Sequence, residues 1–501
     1  MKIKSQRSFY SSHFSIGSIF RSFKAAPFFG FLAIVIIFSV LSIVMIYVGS
    51  VLEKNRYMAT IQQQLYNAAE TKFSVFNNYI SGLQSSPDQL YFDVKFEDIQ
   101  LLNYARESSL SRGFITQEEQ DITVKAILSI GNIQYKVELS PTGQNLDMIG
   151  SINKRAYKVK VLEGKKIYGM EEFKLLPPIT RHHVVEWVGH ALEDKEGLIS
   201  LRYFFVEVVL NGNGLGVYAI EEHFNKELLE NRKAREGIIF KEIRMDNEIF
   251  IKPIKIFNEK KISKDPISLN RIRLLKSALQ SVKNNEIEIG RIFDLKKFAT
   301  QFAIIDLMDG YHVLGSNNAI YFFNPVTNLI EPITREYNSL RYSERFIYGD
   351  ELMIDRFRRG GKYFSNKLFE NNEFTAQYLI QLSKLSDQKY LDAFFEDVDE
   401  ALSIQTNILY RDDPFYKFPK ELMYKRQKEI KIWLNQDLNI VANIDEDNLA
   451  LYKIKFINNS PFPIELIKIF SSEKNFESFS NNIVFPGKEM SLSIDLEPNI
   501  T

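Results

Sequence analysis

The sequence predicts an α+β protein with one N-terminal transmembrane helix, a stalk helix, a large mixed domain and a small β-sandwich-like module. Three observations carry this prediction: an uncharged run of 21 residues near the N-terminus, alternating and helical apolar spacings through the middle, and short strands with turn residues at the end. The expected parts are a basic tail over 1–27, a transmembrane helix over 28–48, a stalk over 49–84, the main domain over 85–437 and the β module over 438–501.

Composition limits the kinds of partner. The 501 residues are 45% apolar and 13% aromatic, enough to bury ordinary cores in two or three domains. Lysine plus arginine and aspartate plus glutamate both number 63, so the net charge is zero and nucleic acid is not an expected partner. The absence of cysteine excludes disulfides, thiolate metal sites and a cysteine nucleophile.

The run Phe28 to Val48 has no charge and is long enough, as a helix, to cross about 30 Å of hydrocarbon. It is longer than the apolar core of a cleaved signal peptide, and Gly49-Ser50-Val51 is a poor cleavage site, so a retained signal-anchor is predicted. Basic residues without acids precede the run, which orients the tail to the cytoplasm. The expected protein is thus single-pass in the inner (plasma) membrane, with the bilayer as a partner and the main domain periplasmic or extracellular. The alternative is a buried core helix.

Apolar residues recur every three or four positions from Ile61 to Leu83, which predicts a stalk helix. Two arrangements remain open for it. The stalk could form a homodimer with a second copy, or pack on its own domain, because the heptads are few and lack clean flanking charges.

The main domain begins after the helix-breaking Ser85-Ser86-Pro87-Asp88. Residues 122–130 and 133–139 alternate in polarity around Gly131-Asn132, which predicts a hairpin, and Tyr157 to Val161 is a further strand. An amphipathic helix follows from Thr180 to Asp194, with the threonine expected to cap its start.

A second hairpin is predicted from two apolar runs, Leu201 to Leu210 and Leu215 to Ile220, which flank Asn211-Gly212-Asn213-Gly214. A charged helix then leads to a strand, Ile238 to Lys241. The remaining predicted elements are helices over 268–283 and 294–309, a strand pair over 321–323 and 329–333, a mostly helical stretch over 375–436, and strands over 450–456, 463–470, 483–485 and 490–494.

The order of residues from Asn211 to Lys241 carries a resemblance. The segments NG, GVY and EEHFNKELL, followed by G-x-x-x-K, resemble the CotH family, the spore-coat protein H type of atypical protein kinase, over roughly Phe92 to Glu336. The resemblance implies a kinase-like domain with ATP and Mg²⁺ or Mn²⁺ as cofactors. It also implies site residues, which are assigned here position by position.

The lysine-rich strand around Lys154 resembles the family's phosphate-binding strand, and the helix from Arg181 to Trp187 resembles the helix that carries a glutamate, here Glu186. The resemblance therefore implies that Lys154 pairs with Glu186 on the nucleotide phosphates, with Lys158 as the reserve. The alternative is an edge strand fringed with lysines beside a solvated helix glutamate.

Other positions follow in the same way. Glu221, which stands next to Glu222 after GVY, and Lys241 are implied to line the nucleotide cleft. Asn318 directly follows His312 to Asn317, the segment that resembles H-x-x-x-x-N. Glu336 takes the place of the family's aspartate and Asn338 the second position, so both are the implied catalytic and metal-binding residues.

The sequence departs from the family at the phosphate end. A glutamate shifts the carboxylate by about 1.5 Å relative to aspartate, at a metal that needs near-ideal octahedral geometry, and Arg335 beside it could bind phosphate or replace the metal. A lysine-glycine-aspartate loop is also missing at 140–144. Three functions remain open: phosphorylation or nucleotidyl modification of cell-envelope proteins, a catalytically inactive kinase-like scaffold for envelope assembly, or a purely structural anchor whose cleft is filled by side chains.

Rival chemistries have less support. His182, Glu186 and His190 are spaced by four on the predicted helix, but three ligands over two turns span about 12 Å, too far for one metal ion. The patterns G-x-S-x-G and G-x-x-x-x-G-K-S/T do not occur, which argues against a serine hydrolase and a P-loop.

Overall fold

The computed structural model describes residues 36–45, 74–143, 148, 154–242, 254–314, 318–337, 346–347, 367–436, 439–447, 451–460, 462, 464–466, 468–470, 475–478, 483–484 and 489–495. Contacts divide the chain into two compact units, residues 1–77 and residues 78–501. The two units are described separately.

In the first unit, residues 36–45 form a helix whose apolar side chains are exposed. Across the residues with a described structure, no helix combines the length and the apolar character needed to cross a membrane. This finding contradicts the predicted transmembrane helix over 28–48 and, with it, the single-pass membrane localisation. Residues 28–35, 46–48 and most of the predicted stalk, 49–73, lie outside the described residues, and a helix covers 74–84.

The second unit begins with a closed barrel of seven strands in the order β1-β2-β3-β4-β5-β7-β6. Six of its seven pairings are antiparallel, and the parallel pairing of β1 with β6 closes it. The strands are β1 (Gln89–Val94), β2 (Val124–Ile130), β3 (Ile133–Pro141), β4 (Tyr157–Val161), β5 (Glu172–Leu176), β6 (Tyr203–Leu210) and β7 (Asn213–Glu222).

The predicted fold class, an α+β atypical kinase-like domain behind a membrane anchor, is therefore wrong. The described residues form a mixed α/β structure around a closed barrel. The hairpins β2–β3 and β6–β7 were predictable because their partners are neighbours in sequence. Closure joins Gln89 to Glu207, which are 118 residues apart, and no local pattern encodes such a pairing.

The alternation of buried and exposed side chains along the strands explains how the barrel interior is filled. In β1 every second side chain is buried, and Leu90, Phe92 and Val94 point inward. Leu128, Phe173 and other inward side chains fill the same core. The barrel is therefore filled by its own side chains.

Asn211 stabilises the end of β1 where the barrel closes. Its side chain accepts a hydrogen bond from Val94 N–H at 2.8 Å and donates one to Val94 C=O at 2.7 Å. Its φ of +48° is tolerated by asparagine better than by most residues. One turn residue thus reverses the β6–β7 hairpin and fastens the end of β1.

Helices α1 (Phe96–Arg112) and α2 (Gln117–Asp121) cover part of the barrel, and α3 (Val184–Lys195) follows β5. The predicted helix from Thr180 is split: Pro178–Arg181 form a 3-10 turn, and His182 and His183 both adopt positive φ before α3 begins. The Thr180 hydroxyl donates to Pro177 C=O, so the predicted threonine cap is wrong.

Beyond the barrel, a second sheet has the order β11-β10-β8-β9. Its strands are β8 (Ile238–Glu242), β9 (Ile254–Ile256), β10 (Ile320–Phe323) and β11 (Ile330–Ile333). The helices of this part are α4 (Lys226–Asn231), α5 (Glu259–Ile262), α6 (Pro266–Lys283), α7 (Leu295–Met308), α8 (Asn372–Leu385), α9 (Gln388–Leu409) and α10 (Lys420–Leu434), and 3-10 turns lie at Ile289–Arg291 and Tyr311–Leu314.

Helix α7 is buried on all sides and forms the centre of the helical core. Asp306 on this helix is fully buried and lies 3.5 Å from the guanidinium of Arg426 on α10. The hydroxyls of Tyr311 and Tyr378 also donate to its carboxylate. A buried charge needs such partners, so this cluster fixes α7 against α8 and α10.

The C-terminal part contains a three-stranded sheet, β12-β13-β18, and two strand pairs, β14–β17 and β15–β16. Its strands are β12 (Ile440–Asp447), β13 (Leu451–Asn458), β14 (Ile464–Glu465), β15 (Lys468–Phe470), β16 (Asn475–Ser478), β17 (Ile483–Val484) and β18 (Glu489–Asp495). The sequence predicted four strands here, because β12 and β16 lack a clear alternating apolar pattern.

Candidate functional site

A cluster of charged side chains lies where the barrel meets the second sheet. Lys174 comes from β5, Arg181 from the turn after it, Glu221 from β7, Lys241 from β8, and Glu336 from the segment after β11. Ion pairs and charge interactions link these side chains, although 162 positions separate the first from the last. The fold therefore brings together groups that the sequence keeps far apart.

The register of the barrel places the first pair. Lys174 lies directly opposite Glu221, and its ammonium is 2.6 Å from a carboxylate oxygen of Glu221. On the other side Lys174 faces Lys158, another lysine, which lies 3.9 Å from Glu172. Like charges in directly opposed positions destabilise a sheet, and here Glu221 and Glu172 each offset one of the two lysines.

Arg181 joins the two carboxylates of the cluster. Its Nε is 2.8 Å from Glu221 and its Nη2 is 2.9 Å from Glu336, and its side chain is only 3% exposed. Burial opposes the charge on both partners, but the guanidinium of Arg181 and the ammonium of Lys174 outweigh it and hold the pKa of Glu221 below its usual range. Glu221 is therefore ionised at neutral pH.

Glu336 has two cationic neighbours and a histidine beside it. Besides Arg181, its carboxylate is 3.0 Å from Arg335 and 3.4 Å from the ring of His312. Burial acts to raise the pKa of Glu336, but Arg181 and Arg335 outweigh it and lower the pKa well below the ordinary value. Arg335 also lies 5.5 Å from the ring centre of Phe224. The arginine that the sequence placed beside the implied metal position thus binds its carboxylate.

Glu186 has a different partner from the predicted one. Its carboxylate accepts hydrogen bonds from the backbone N–H groups of Glu336, at 2.5 Å, and Tyr337, at 2.8 Å. Lys154 instead forms an ion pair with Asp412 and lies over the ring of Tyr218. The predicted pair of Lys154 and Glu186 is therefore not formed, because Lys154 precedes β4 and reaches Asp412, just after the end of α9.

Lys241 is the least compensated cation of the cluster. Its side chain is half-buried, and its ammonium has no hydrogen-bond or ion-pair partner among the described residues. Burial and the positive charges of Arg335, Lys255 and Lys174 lower the pKa of Lys241 to about 8. Positive charge is thus concentrated around this one ammonium.

The described residues do not fit a divalent metal. Across the described parts of the chain, no group of three or more histidine, aspartate and glutamate side chains could hold a metal ion. Glu221 and Glu336 are both bound by Arg181. Asn338, the second implied ligand, lies outside the described residues. The described side chains by themselves therefore do not form the implied Mg²⁺ or Mn²⁺ site.

Two other expectations can be compared with the structure. The Asn318 amide donates to His312 C=O at 3.1 Å, so it supports the turn that presents His312. The rival set of His182, Glu186 and His190 does not converge on one point. His182 precedes α3 with left-handed backbone geometry, whereas His190 lies between Glu186 and Glu193.

A cleft of about 860 Å³ opens next to the cluster, between the barrel, α4, β8 and α6. Phe224 and Phe257 line it with ring centres 5.0 Å apart. Glu172, also in its lining, lies 3.2 Å from His223, whose pKa is lowered to about 3 by burial and by the nearby Lys174 and Lys158. Phe224 and Glu172 connect the cleft to the charged cluster.

Sequence reasoning missed Lys174 and Arg181. A signal for Lys174 exists: it alternates with Phe173 and Leu175, and prolines follow at 177 and 178, as at the end of a strand. Arg181 has no such signal. It looks like a surface residue at a helix start, and only the packing of the turn against β7 buries it.

No protein-family model matches the chain, and a search of curated proteins likewise finds no match.

Proposed function

We propose that the charged cluster binds the phosphate groups of a nucleotide and that the protein acts as a nucleotide-binding scaffold without transferring phosphate. One observation carries the proposal: the half-buried ammonium of Lys241 has no ion-pair partner among the described residues and lies among three cationic groups, which together with burial lower its pKa to about 8. A bound anion would relieve this repulsion. The cluster has four cations, Lys174, Arg181, Arg335 and Lys241, against the two carboxylates Glu221 and Glu336.

Phosphate is the anion that this donor set favours. Planar guanidinium groups bind phosphate oxygens with two parallel hydrogen bonds, and an ammonium adds a point charge. Arg335 and Lys241 come from different elements, so a ligand with several anionic groups could contact both. The adjoining cleft, with Phe224 and Phe257, has the size and aromatic lining that suit a nucleoside.

The scaffold is favoured over the enzyme by the partners of the carboxylates. Arg181 and Arg335 lie 2.9 and 3.0 Å from Glu336, where metal-dependent transfer would need the carboxylate on a metal ion. Each carboxylate oxygen of Glu186 accepts a hydrogen bond from a backbone N–H group. These contacts support binding and oppose metal-assisted chemistry.

The second candidate is phosphoryl or nucleotidyl transfer of the CotH type. It is favoured by the proximity of Glu221 and Glu336, which share Arg181, and by the resemblance of the segment from Asn211 to Lys241. The two candidates predict the same binding and differ only in transfer.

Binding is tested by calorimetry on the full chain with ATP and with inorganic tripolyphosphate. Wild type should bind both, and Lys241→Met should weaken each by about tenfold or more, because one desolvated charge contact is lost. Lys276→Met is the matched control, since Lys276 is exposed, contacts Glu259 on α5 and is not among the residues that line the cleft. Absence of binding by wild type, or equal weakening by both variants, would refute the proposal.

Transfer is tested with γ-labelled and α-labelled ATP in the presence of Mg²⁺ or Mn²⁺. The scaffold predicts bound nucleotide without label on protein. Label transfer by wild type that Glu336→Gln abolishes would refute the scaffold and establish the second candidate.

A further inference from the structure

The backbone of Glu336 is in a conformation that needs support. Its φ of +60° lies in the left-handed region, which is unfavourable for a residue with a long side chain. The carboxylate of Glu186 accepts hydrogen bonds from two successive backbone N–H groups, those of Glu336 at 2.5 Å and Tyr337 at 2.8 Å. Such charge-assisted bonds are stronger than bonds between neutral groups. The position of the Glu336 side chain thus depends on Glu186.

Glu186 in turn needs a cation, because it is fully buried. His190, one turn later on α3, supplies it. Its Nε2 lies 3.5 Å from Glu186, a charge contact at the limit of hydrogen-bond distance, and its Nδ1 is 3.0 Å from Glu193. Burial opposes the charge on this ring, but Glu186 and Glu193 outweigh it and raise the pKa of His190 to about 10.

Glu193 completes the connection to the same backbone. It is fully buried and accepts a hydrogen bond from the Tyr337 hydroxyl at 2.9 Å. The ring of Tyr337 fits between two glycines: a Cβ added to Gly310 would lie 2.7 Å from the ring, and one added to Gly189 would also overlap it. The histidine therefore holds two carboxylates, and each carboxylate holds one side of the segment 336–337.

We propose that His190 is a positioning residue for Glu336. Its charged ring keeps Glu186 and Glu193 in place, and these fix the backbone from which Glu336 engages Arg181 and Arg335. This role rests on the proposed function in so far as the arginines belong to an anion site. The other groups facing His190 are the rings of Tyr203 on β6 and of Tyr337, whose centres lie 6.1 and 6.3 Å away.

The test compares His190→Gln with Val188→Ala in the full chain, by hydrogen exchange of peptides that cover Glu336 and Tyr337. His190→Gln should speed exchange of these two amides by about tenfold or more, since their acceptor is no longer held. Val188→Ala, a buried substitution on the same helix away from the carboxylates, should lower the melting temperature but change this exchange less than about twofold. If His190→Gln does not fold, Glu193→Gln should give the same effect in smaller measure.

A second readout is tripolyphosphate binding. His190→Gln should weaken it at least about threefold, because a positive charge is lost and Arg335 is less firmly held, while Val188→Ala should leave it unchanged. Exchange that is as slow in His190→Gln as in wild type would overturn the positioning role. Faster exchange in a protein that binds no tripolyphosphate would keep that role and refute the anion site, so the two failures are distinguishable.

Discussion

The surroundings of a single residue, Lys241, determine how readily its ammonium stays charged. The half-buried ammonium loses hydration and lies among Arg335, Lys255 and Lys174, so its charged form is disfavoured. A bound phosphate would favour the charged form again and raise the pKa. Ligand affinity and protonation of Lys241 are therefore linked.

This linkage predicts a pH dependence of ATP affinity. The free protein has Lys241 charged below pH 7 and increasingly neutral above about 8, so affinity should be level below pH 7 and fall as the pH rises. Between pH 7 and 9 the loss should be about tenfold relative to Lys241→Met, which removes the titrating group and corrects for titration of the ligand. Calorimetry at the two values measures it. A ratio that stays constant would show that Lys241 does not contact the phosphates.

Burial and neighbouring charges also set the pKa values of His190 and His223, but they shift the two in opposite directions. His190 is charged because Glu186 and Glu193 outweigh burial, so its contribution to stability is complete below about pH 6.5 and is lost as the pH rises through about 10. His223 is neutral because burial and the neighbouring lysines lower its pKa to about 3. His190 and His223 thus differ in charge at neutral pH, although the sequence shows only that both are histidines.

At the scale of an element, α3 supports the site through its glycine as well as its charges. Gly189 lets the Tyr337 ring lie directly on the helix backbone. Glycine inside a helix normally costs about 1 kcal/mol relative to alanine. Here the absent side chain makes room for a ring whose hydroxyl reaches Glu193.

Gly189→Ala should therefore destabilise the protein despite its gain in helix propensity. We expect a net loss of about 1–3 kcal/mol in the free energy of unfolding, since overlap in a packed core outweighs that gain. Denaturant unfolding measures it. In the double variant with Tyr337→Leu the total loss should be smaller than the sum of the single losses, because the overlap is removed. Additive losses would mean that the two residues are not coupled in this way.

The elements with local signals are those that the sequence predicted well. The hairpin of β6 and β7 follows from its turn and its apolar runs, and α6 and α7 from their spacing. The start of α3 was misjudged because His182 and His183 adopt positive φ, which no spacing rule anticipates. Strand β5, with Lys174, was missed because its alternation covers only Phe173 to Leu175 before Leu176 and two prolines interrupt it.

At the scale of the whole molecule, closure of the barrel is the decisive event. The parallel pairing of β1 with β6 removes the last open edges of the sheet, and within the closed barrel the pairing of β5 with β7 places Lys174 opposite Glu221. Asn211 fastens this closure to Val94 with two hydrogen bonds.

Asn211→Gly should lower the free energy of unfolding by about 1–2 kcal/mol, because both hydrogen bonds are lost while the positive φ remains accessible. Asn211→Ala should cost more, since it adds strain at the same φ. Thermal unfolding of the three proteins gives the order. Equal stability of wild type and Asn211→Gly would show that closure does not depend on the side chain.

The sequence by itself determined the local hairpins, most helices, the absence of cysteine chemistry, and the presence of Glu221, Lys241 and Glu336 in suggestive places, because short-range periodicity and turn chemistry act within a few residues. The folded structure was needed to show that the barrel closes, that Lys174 and Arg181 belong to the cluster, and that Glu186 binds backbone in place of Lys154. These features depend on pairings between distant segments and on burial. An ionisable side chain acquires its partners and its shifted pKa only when folding brings distant residues next to it.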